Sequence, residues 1–244
     1  VTPADVSSAV LAAVAAARTS GELTHAPVDA SLTRANGTYG SPLALRMAAV
    51  EGRPATEIAE LIAGRLAQAP GIAAVDVTGP GFLMITMASH GALAEGIAAA
   101  GAAYGRAIVP RPESIWPDRP RTFDNPGFRV RFAYARAAAV RRRGDALGIA
   151  DGPHEPDHPH EIRLLDLLAE FPARAARRNA GVLKRHLVRV ADAYHDVYER
   201  CPALPRGDAE PTKRHGGRRV LAAAVRTTIG NGLNMLGETP EERL

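Results

Sequence analysis

Asn125-Pro126-Gly127-Phe128-Arg129-Val130-Arg131-Phe132-Ala133-Tyr134-Ala135-Arg136 opens the half of the chain in which the pattern is helical almost throughout. Residues 128–143 read as one helix and residues 162–170 as a second. Residues 180–200 read as a long third, with Leu183, Leu187, Val190, Tyr194 and Val197 recurring at three- and four-residue spacing, a stripe that Cys201 extends. Residues 218–236 close the set with Leu221, Val225, Ile229, Leu233 and Leu236 on one face. Polar loops at 144–160 and 202–217 interrupt the helices. The pattern predicts a helical bundle over residues 125–244.

The other half alternates. Thr2-Pro3-Ala4-Asp5 reads as a helix start, with Thr2 as cap, Pro3 in the first helical position and an acid in the first turn. Residues 43–49 read as a short helix and residues 54–68 as a longer one with Ile58, Leu61, Ile62 and Leu66 on one face. Residues 72–77 alternate like a half-buried strand, turn at Gly79-Pro80-Gly81, and return as residues 82–87. Periodicity alone supports a mixed α+β domain over residues 1–108. Pro110, Pro112, Pro117 and Pro120 then deny residues 109–124 regular hydrogen bonding and favour an extended linker. Trp116, within it, reads as an anchor to one domain.

Gly37-Thr38-Tyr39-Gly40-Ser41-Pro42-Leu43-Ala44-Leu45-Arg46-Met47-Ala48, with Val75-Asp76-Val77-Thr78-Gly79-Pro80-Gly81-Phe82 after it, resembles the amino-terminal additional domain of arginyl-tRNA synthetases. There a GDY-type turn precedes an Ala/Leu-rich helix and a GPGF turn opens the last strand. The stretch from Asn125 to Arg136, with Ile229-Gly230-Asn231-Gly232-Leu233-Asn234-Met235-Leu236-Gly237 and Pro240-Glu241-Glu242-Arg243-Leu244, resembles the DALR anticodon-binding domain of the same enzymes. The two resemblances cover nearly the whole chain in family order. They imply a small antiparallel sheet backed by helices, followed by the anticodon-binding bundle: an α+β fold overall.

Between Gly105 and Asn125 about twenty residues remain, too few for one strand-helix-strand unit of roughly thirty. The family's catalytic core, with its HIGH and KMSKS sequences, has no counterpart there. There is likewise no GxGxxG turn and no GxxxxGK[ST] loop, and no HExxH helix is expected, since the string from His154 to His158 is interleaved with prolines. The expectation is a protein without aminoacylation activity, catalytic residues or cofactor, whose partner is tRNA, arginine tRNA first among candidates. A tRNA-processing enzyme or a synthetase is the expected protein partner. The alternatives are a protein-interaction module and a non-catalytic subunit of a multi-chain enzyme.

Charge fits a nucleic-acid partner. Residues 1–108 carry six Arg and eight Asp/Glu; residues 125–244 carry twenty-one Lys/Arg and fifteen Asp/Glu, a net of +6 within a chain total of +4. Such a bias suits a polyanion, although a preference for arginine codons would also raise Arg, since Lys occurs only at Lys184 and Lys213. Cys201 is the sole cysteine and reads as a buried structural thiol, and no apolar run has the length of a membrane span, so a soluble, cytoplasmic protein with no membrane partner is expected.

Unpaired anticodon bases are read by stacking and by edge hydrogen bonds. Where the family's first anticodon-domain helix has a YVQYAHAR sequence, Arg129 and Phe132 take the two ring positions, Arg131 replaces the Gln, and Tyr134 and Arg136 follow. In the last helix Arg226, Asn231 and Asn234 lie toward the end the family uses near the anticodon loop, and Leu244 takes the place of a Met that holds a base. Gly230 and Gly232 imply a close approach, to another helix or to RNA. In the first domain the resemblance points Asn36, Tyr39 and Arg46 at the outer corner of tRNA. His154, His158 and His160 are of a type that suits zinc or nickel, but the interleaved prolines spread them along an extended, solvated loop, so no metal site is expected.

Overall fold

The computed structural model describes residues 2–110, 112, 116, 117 and 119–244, which divide into two compact units, Val1–His90 and Gly91–Leu244. The first begins with α1 (Pro3–Thr19), capped as its sequence predicts: the Thr2 backbone N–H donates to Asp5 Oδ2 at 2.6 Å and the Asp5 N–H returns a bond to Thr2 Oγ1 at 3.4 Å. Strands β1 (Thr33–Ala35) and β2 (Thr38–Ser41) form a hairpin about Asn36-Gly37, both at positive φ, the two-residue turn that suits strand twist. Helices α2 (Leu43–Glu51) and α3 (Ala55–Leu66) follow, then β3 (Ile72–Thr78) and β4 (Phe82–Met87). The sheet runs β1-β2-β4-β3, antiparallel throughout, with Tyr39 opposite Ile85. Val10, Val14, Leu43, Ile58, Ile62 and Leu83 fill the space between sheet and helices.

The second unit is helical: α4 (Ala92–Ala100), α5 (Pro126–Ala146), α6 (Pro159–Ala175), α7 (Ala180–Arg200) and α8 (Lys213–Met235). The α+β class expected of the whole chain is therefore the one observed. The boundary lies earlier than position 108, because α4 packs on α8 and Asn231 holds the turn beyond it, donating through Nδ2 to the carbonyls of Gly101 and Tyr104, each at 2.9 Å. Tyr104 then stacks on Phe171 and donates its hydroxyl to the Leu168 carbonyl at 2.8 Å. Leu164, Leu168, Leu187, Val190, Leu221, Val225 and Ile229 make the core between α5, α6, α7 and α8. Trp116 packs against that core, as its anchoring role requires. Among the described residues no helix is long and apolar enough to cross a membrane.

The loop at 144–160 is exposed over much of its length, as expected, but it is anchored at several points. His154 is buried, Arg218 donates to Glu161 Oε1 and Asp157 Oδ1 at 2.9 Å each, and Arg214 pairs with Asp157 at 2.8 Å. Glu161 and Arg218 are buried and require each other as partners, and their pairing, with that of Asp157, clamps the segment to α8. Among the described residues no cluster of His, Cys, Asp and Glu has metal-site geometry. Cys201 is buried, and that burial pushes its thiol up to about 11.

Burial also pulls His154 and His186 down to about 4. The His186 Nε2–H donates to the Leu167 carbonyl at 3.1 Å, which fixes the tautomer of the ring that burial keeps neutral. The unfolded chain takes up these protons near pH 6.5 and the folded chain does not until about pH 4. Their contribution is therefore complete above pH 6.5 and is lost as pH falls, at up to about 1.4 kcal/mol per pH unit for each ring. Urea denaturation should show a midpoint that holds steady from pH 8 to 7 and drops by pH 5; an unchanged midpoint at pH 5 would contradict the buried neutral rings.

Candidate nucleic-acid interface

Asn125 starts the site by fixing the entry to α5. Its Oδ1 accepts from the backbone N–H groups of Gly127 and Phe128 at 3.0 and 3.4 Å, and its Nδ2 donates to the carbonyls of Pro117 and Pro120 at 3.0 and 2.9 Å. One side chain thus caps the helix and holds the preceding segment against it. From that start, four-residue spacing puts Phe128, Phe132 and Arg136 on one face. The Phe128 and Phe132 rings stack with centroids 5.3 Å apart. Phe123, from the turn before the helix, stands edge-on to both and is 48% exposed.

Helix α7 supplies the other wall. The His195 Nε2–H donates to the Arg129 carbonyl at 3.1 Å, leaving Nδ1 to accept from Arg136 Nη1 at 3.2 Å. Burial lowers the affinity of this imidazole for a proton, which keeps Nδ1 an acceptor. The Arg136 guanidinium is consequently held between two rings, 4.5 Å from the centroid of Phe132 and 4.4 Å from that of Tyr198. One turn further along α5, the small side chains of Ala135 and Ala139 leave a groove of about 380 Å³ walled by Phe132, Arg136, Arg142, Arg143, Tyr198 and Leu244. Arg142 is shared with Glu242, donating to its Oε2 and its carbonyl at 3.2 Å each. The Arg143 guanidinium makes no hydrogen bond or ion pair with any described residue. Guanidinium groups, half-buried ring faces and an alanine floor form a surface able to hold phosphate and to stack bases.

The structure sorts the residues chosen from sequence. Phe132, Arg136 and Leu244 meet in the groove. Arg129 lies beside it, its Nη1 2.8 Å from Asp192. Arg131 points elsewhere: its Nε bonds Glu238 at 2.9 Å, and Nη1 and Nη2 donate to the Pro117 and Trp116 carbonyls at 3.2 and 3.1 Å. Tyr134 is buried, and Arg226 lies over its ring while also pairing with Glu242. Asn231 serves the α4 turn described above, and Asn234 is exposed on α8 outside the groove. Gly230 and Gly232 answer the question of close approach in favour of helices: a Cβ on either would lie 3.0 Å from Tyr134 Cε2 or 2.5 Å from Leu187 Cδ2. In the first unit, Asn36 is exposed at its turn, whereas Tyr39 is buried beneath Arg34, which donates to its hydroxyl at 3.2 Å. Arg46 donates to the carbonyl and carboxylate of Asp29 at 3.0 and 2.9 Å. Phe123, Tyr198, Arg142 and Arg143 escaped the sequence reading, although the last two continue the α5 face from Phe132 and Arg136.

Comparison with known families matches residues 4–87 to the arginyl tRNA synthetase N terminal domain and residues 130–244 to the DALR anticodon binding domain. Arginine–tRNA ligase of Frankia alni is 41% identical over 133 residues, covering 51% of this chain and 24% of that protein. The ligase of Clavibacter sepedonicus is 42% identical over 131 residues, with the same shares. The chain therefore spans about a quarter of the length of these relatives. A solved Thermus thermophilus arginyl-tRNA synthetase aligns with 50% of this chain and 22% of its own, at 23% identity and a TM-score of 0.39.

Arg131 and Arg143 should separate in experiment. Arg131→Ala would strand the largely buried Glu238 carboxylate and release the linker carbonyls, lowering unfolding free energy by about 2 kcal/mol. Arg143→Ala, with nothing to release, should change it by less than about 0.5 kcal/mol. Equal urea midpoints for the two variants would refute this division.

Proposed function

We propose that this chain, which carries an arginyl-tRNA synthetase N-terminal domain and a DALR anticodon-binding domain, is a non-catalytic tRNA-binding protein of the cytoplasm. The observation that carries the reading is the groove on α5, where the ring-stacked Arg136 and Arg143, whose guanidinium is unpaired among the described residues, lie beside half-buried aromatic rings on the domain matched to anticodon binding. An unpaired anticodon loop offers what this surface takes: phosphates for the guanidinium groups and unstacked bases for the rings. Residues 1–90 would add a contact at the outer corner of the tRNA through the exposed turn at Asn36, with Arg46 near it in sequence.

Absence of catalysis is proposed on the interval between the two matched segments. Residues 88–129 hold α4, a short 3₁₀ turn, a proline-rich stretch and the start of α5. A nucleotide-binding core needs several strand-helix-strand units of roughly thirty residues each. Arginine tRNA is the first candidate ligand because the similar curated proteins are arginine–tRNA ligases. Binding without catalysis suits a role in modification, delivery or regulation of tRNA, alongside a tRNA-processing enzyme or a synthetase.

The test is binding of the whole chain to an arginine tRNA, the same tRNA with an altered anticodon, and an unrelated structured RNA, over a range of salt. Affinity for the arginine tRNA should fall steeply with salt, Arg143→Ala should reduce the log–log slope by about 1, and Phe123→Ala should weaken binding by about 1–3 kcal/mol. ATP–pyrophosphate exchange with arginine should be absent. Binding that ignores salt and both substitutions would refute the groove as the RNA surface, and exchange activity would refute the non-catalytic reading.

A further inference from the structure

Behind the groove lies a second, partly enclosed cavity of about 270 Å³ between α5, α7, α8 and the loop after Arg200. Val140, Val197, Leu204 and Leu221 make it largely apolar, and the rings of Tyr194, Tyr198, Pro202 and Pro205 give it flat walls. Tyr194 is only 3% exposed, yet its hydroxyl takes no hydrogen bond from any described residue. That oxygen is not among the fully buried unpartnered atoms, so it keeps accessible surface on which a group entering the cavity can bond. Tyr198 and Arg143 line both this cavity and the groove, so the two spaces adjoin.

We propose that this cavity receives one nucleobase, with Arg143 at its mouth holding the attached phosphate. The volume falls just below the 300–1,000 Å³ typical of pockets for drug-sized ligands, which suits a single flat ring system. Apolar and aromatic walls favour an unstacked heterocycle, and the Tyr194 hydroxyl offers one donor or acceptor to its edge. The Arg143 guanidinium has no partner among the described residues to give up. The base belongs to the RNA held in the groove, so the inference rests on the proposed tRNA binding; a free nucleotide has the same chemistry and is separated from it by experiment.

The whole chain would be titrated with an arginine anticodon stem-loop, with versions each lacking one loop base, and separately with the four nucleoside 5′-monophosphates. One missing base should weaken stem-loop binding about tenfold. Ala203→Trp, which fills the cavity, should reproduce that loss and add nothing for the RNA already lacking the base. Tyr194→Phe, which keeps the shape, should weaken the intact RNA about threefold to tenfold and leave the abasic one unchanged; it decides the matter if circular dichroism shows Ala203→Trp unfolded. If the stem-loop fails to bind while a monophosphate binds and either variant weakens it, the cavity stands with a free nucleotide as its ligand and the RNA reading of the groove falls. Binding of the stem-loop unaffected by the variants, or no binding of any of these probes, overturns the cavity proposal.

Discussion

Burial of α8 on nearly every side is the constraint from which the helical unit follows. Its neighbours are α4, α5, α6 and α7, so it has no broad solvent face on which to place bulky polar groups. Where α5 and α7 come closest, the sequence supplies Gly230 and Gly232, at a cost in helix propensity of roughly 1 kcal/mol each relative to alanine. That close approach sets the separation of α5 and α7, and with it the distance at which Phe132 and Tyr198 can hold Arg136 between them. The groove is in this sense a product of core packing.

The same burial governs the charges. Arg218 and Arg219 lie on α8 with their side chains 9% and 3% exposed, and each must be paired. Arg218 takes Glu161 and Asp157; Arg219 takes Asp145 at 2.6 Å and Asp151 at 3.2 Å. Arg129, Arg131, Arg141, Arg142 and Arg226 also have carboxylate partners. Much of the arginine that makes residues 125–244 basic is therefore engaged within the fold, and the excess is a poor map of where a polyanion would lie. Position is informative where totals are not: the Arg143 guanidinium stands at the groove with no partner among the described residues.

Elements with long apolar stripes were legible in the sequence, because a periodic run such as Leu183 to Val197 admits one packing face. Residues 92–100 were not read as a helix, since nine residues rich in alanine and flanked by Gly91 and Gly101 carry little periodic signal. The start of α8 was placed at Arg218 for a related reason. Gly216 and Gly217 look like loop, yet they are helical, and they are glycine because the carbonyls of Ala150 and Pro153 lie within 2.5–2.6 Å of where a Cβ would be. Within the site, the helix that bears it and the residues Phe132, Arg136 and Leu244 were accessible from sequence. The inward turn of Tyr134 and Arg131 was not, because it depends on partners at Gly230, Glu238 and Pro117, far away along the chain.

Arg131 also bears on how the proposed interface would discriminate. Replacing an amide that can read a base edge with a cation suggests an exchange of base reading for phosphate binding, but its guanidinium is committed to Glu238 and to two linker carbonyls. It therefore contributes to the surface by holding residues 116 and 117 against α5. What the groove itself offers is guanidinium charge and ring faces, with alanine beneath, and these act on features every nucleotide shares. Edge-reading groups are sparse there, so on the proposed reading affinity and salt dependence come from the groove and discrimination from where a base can leave it. The adjoining cavity provides such a place: it has a shape, a volume that limits what enters, and the Tyr194 hydroxyl to favour one base edge over another.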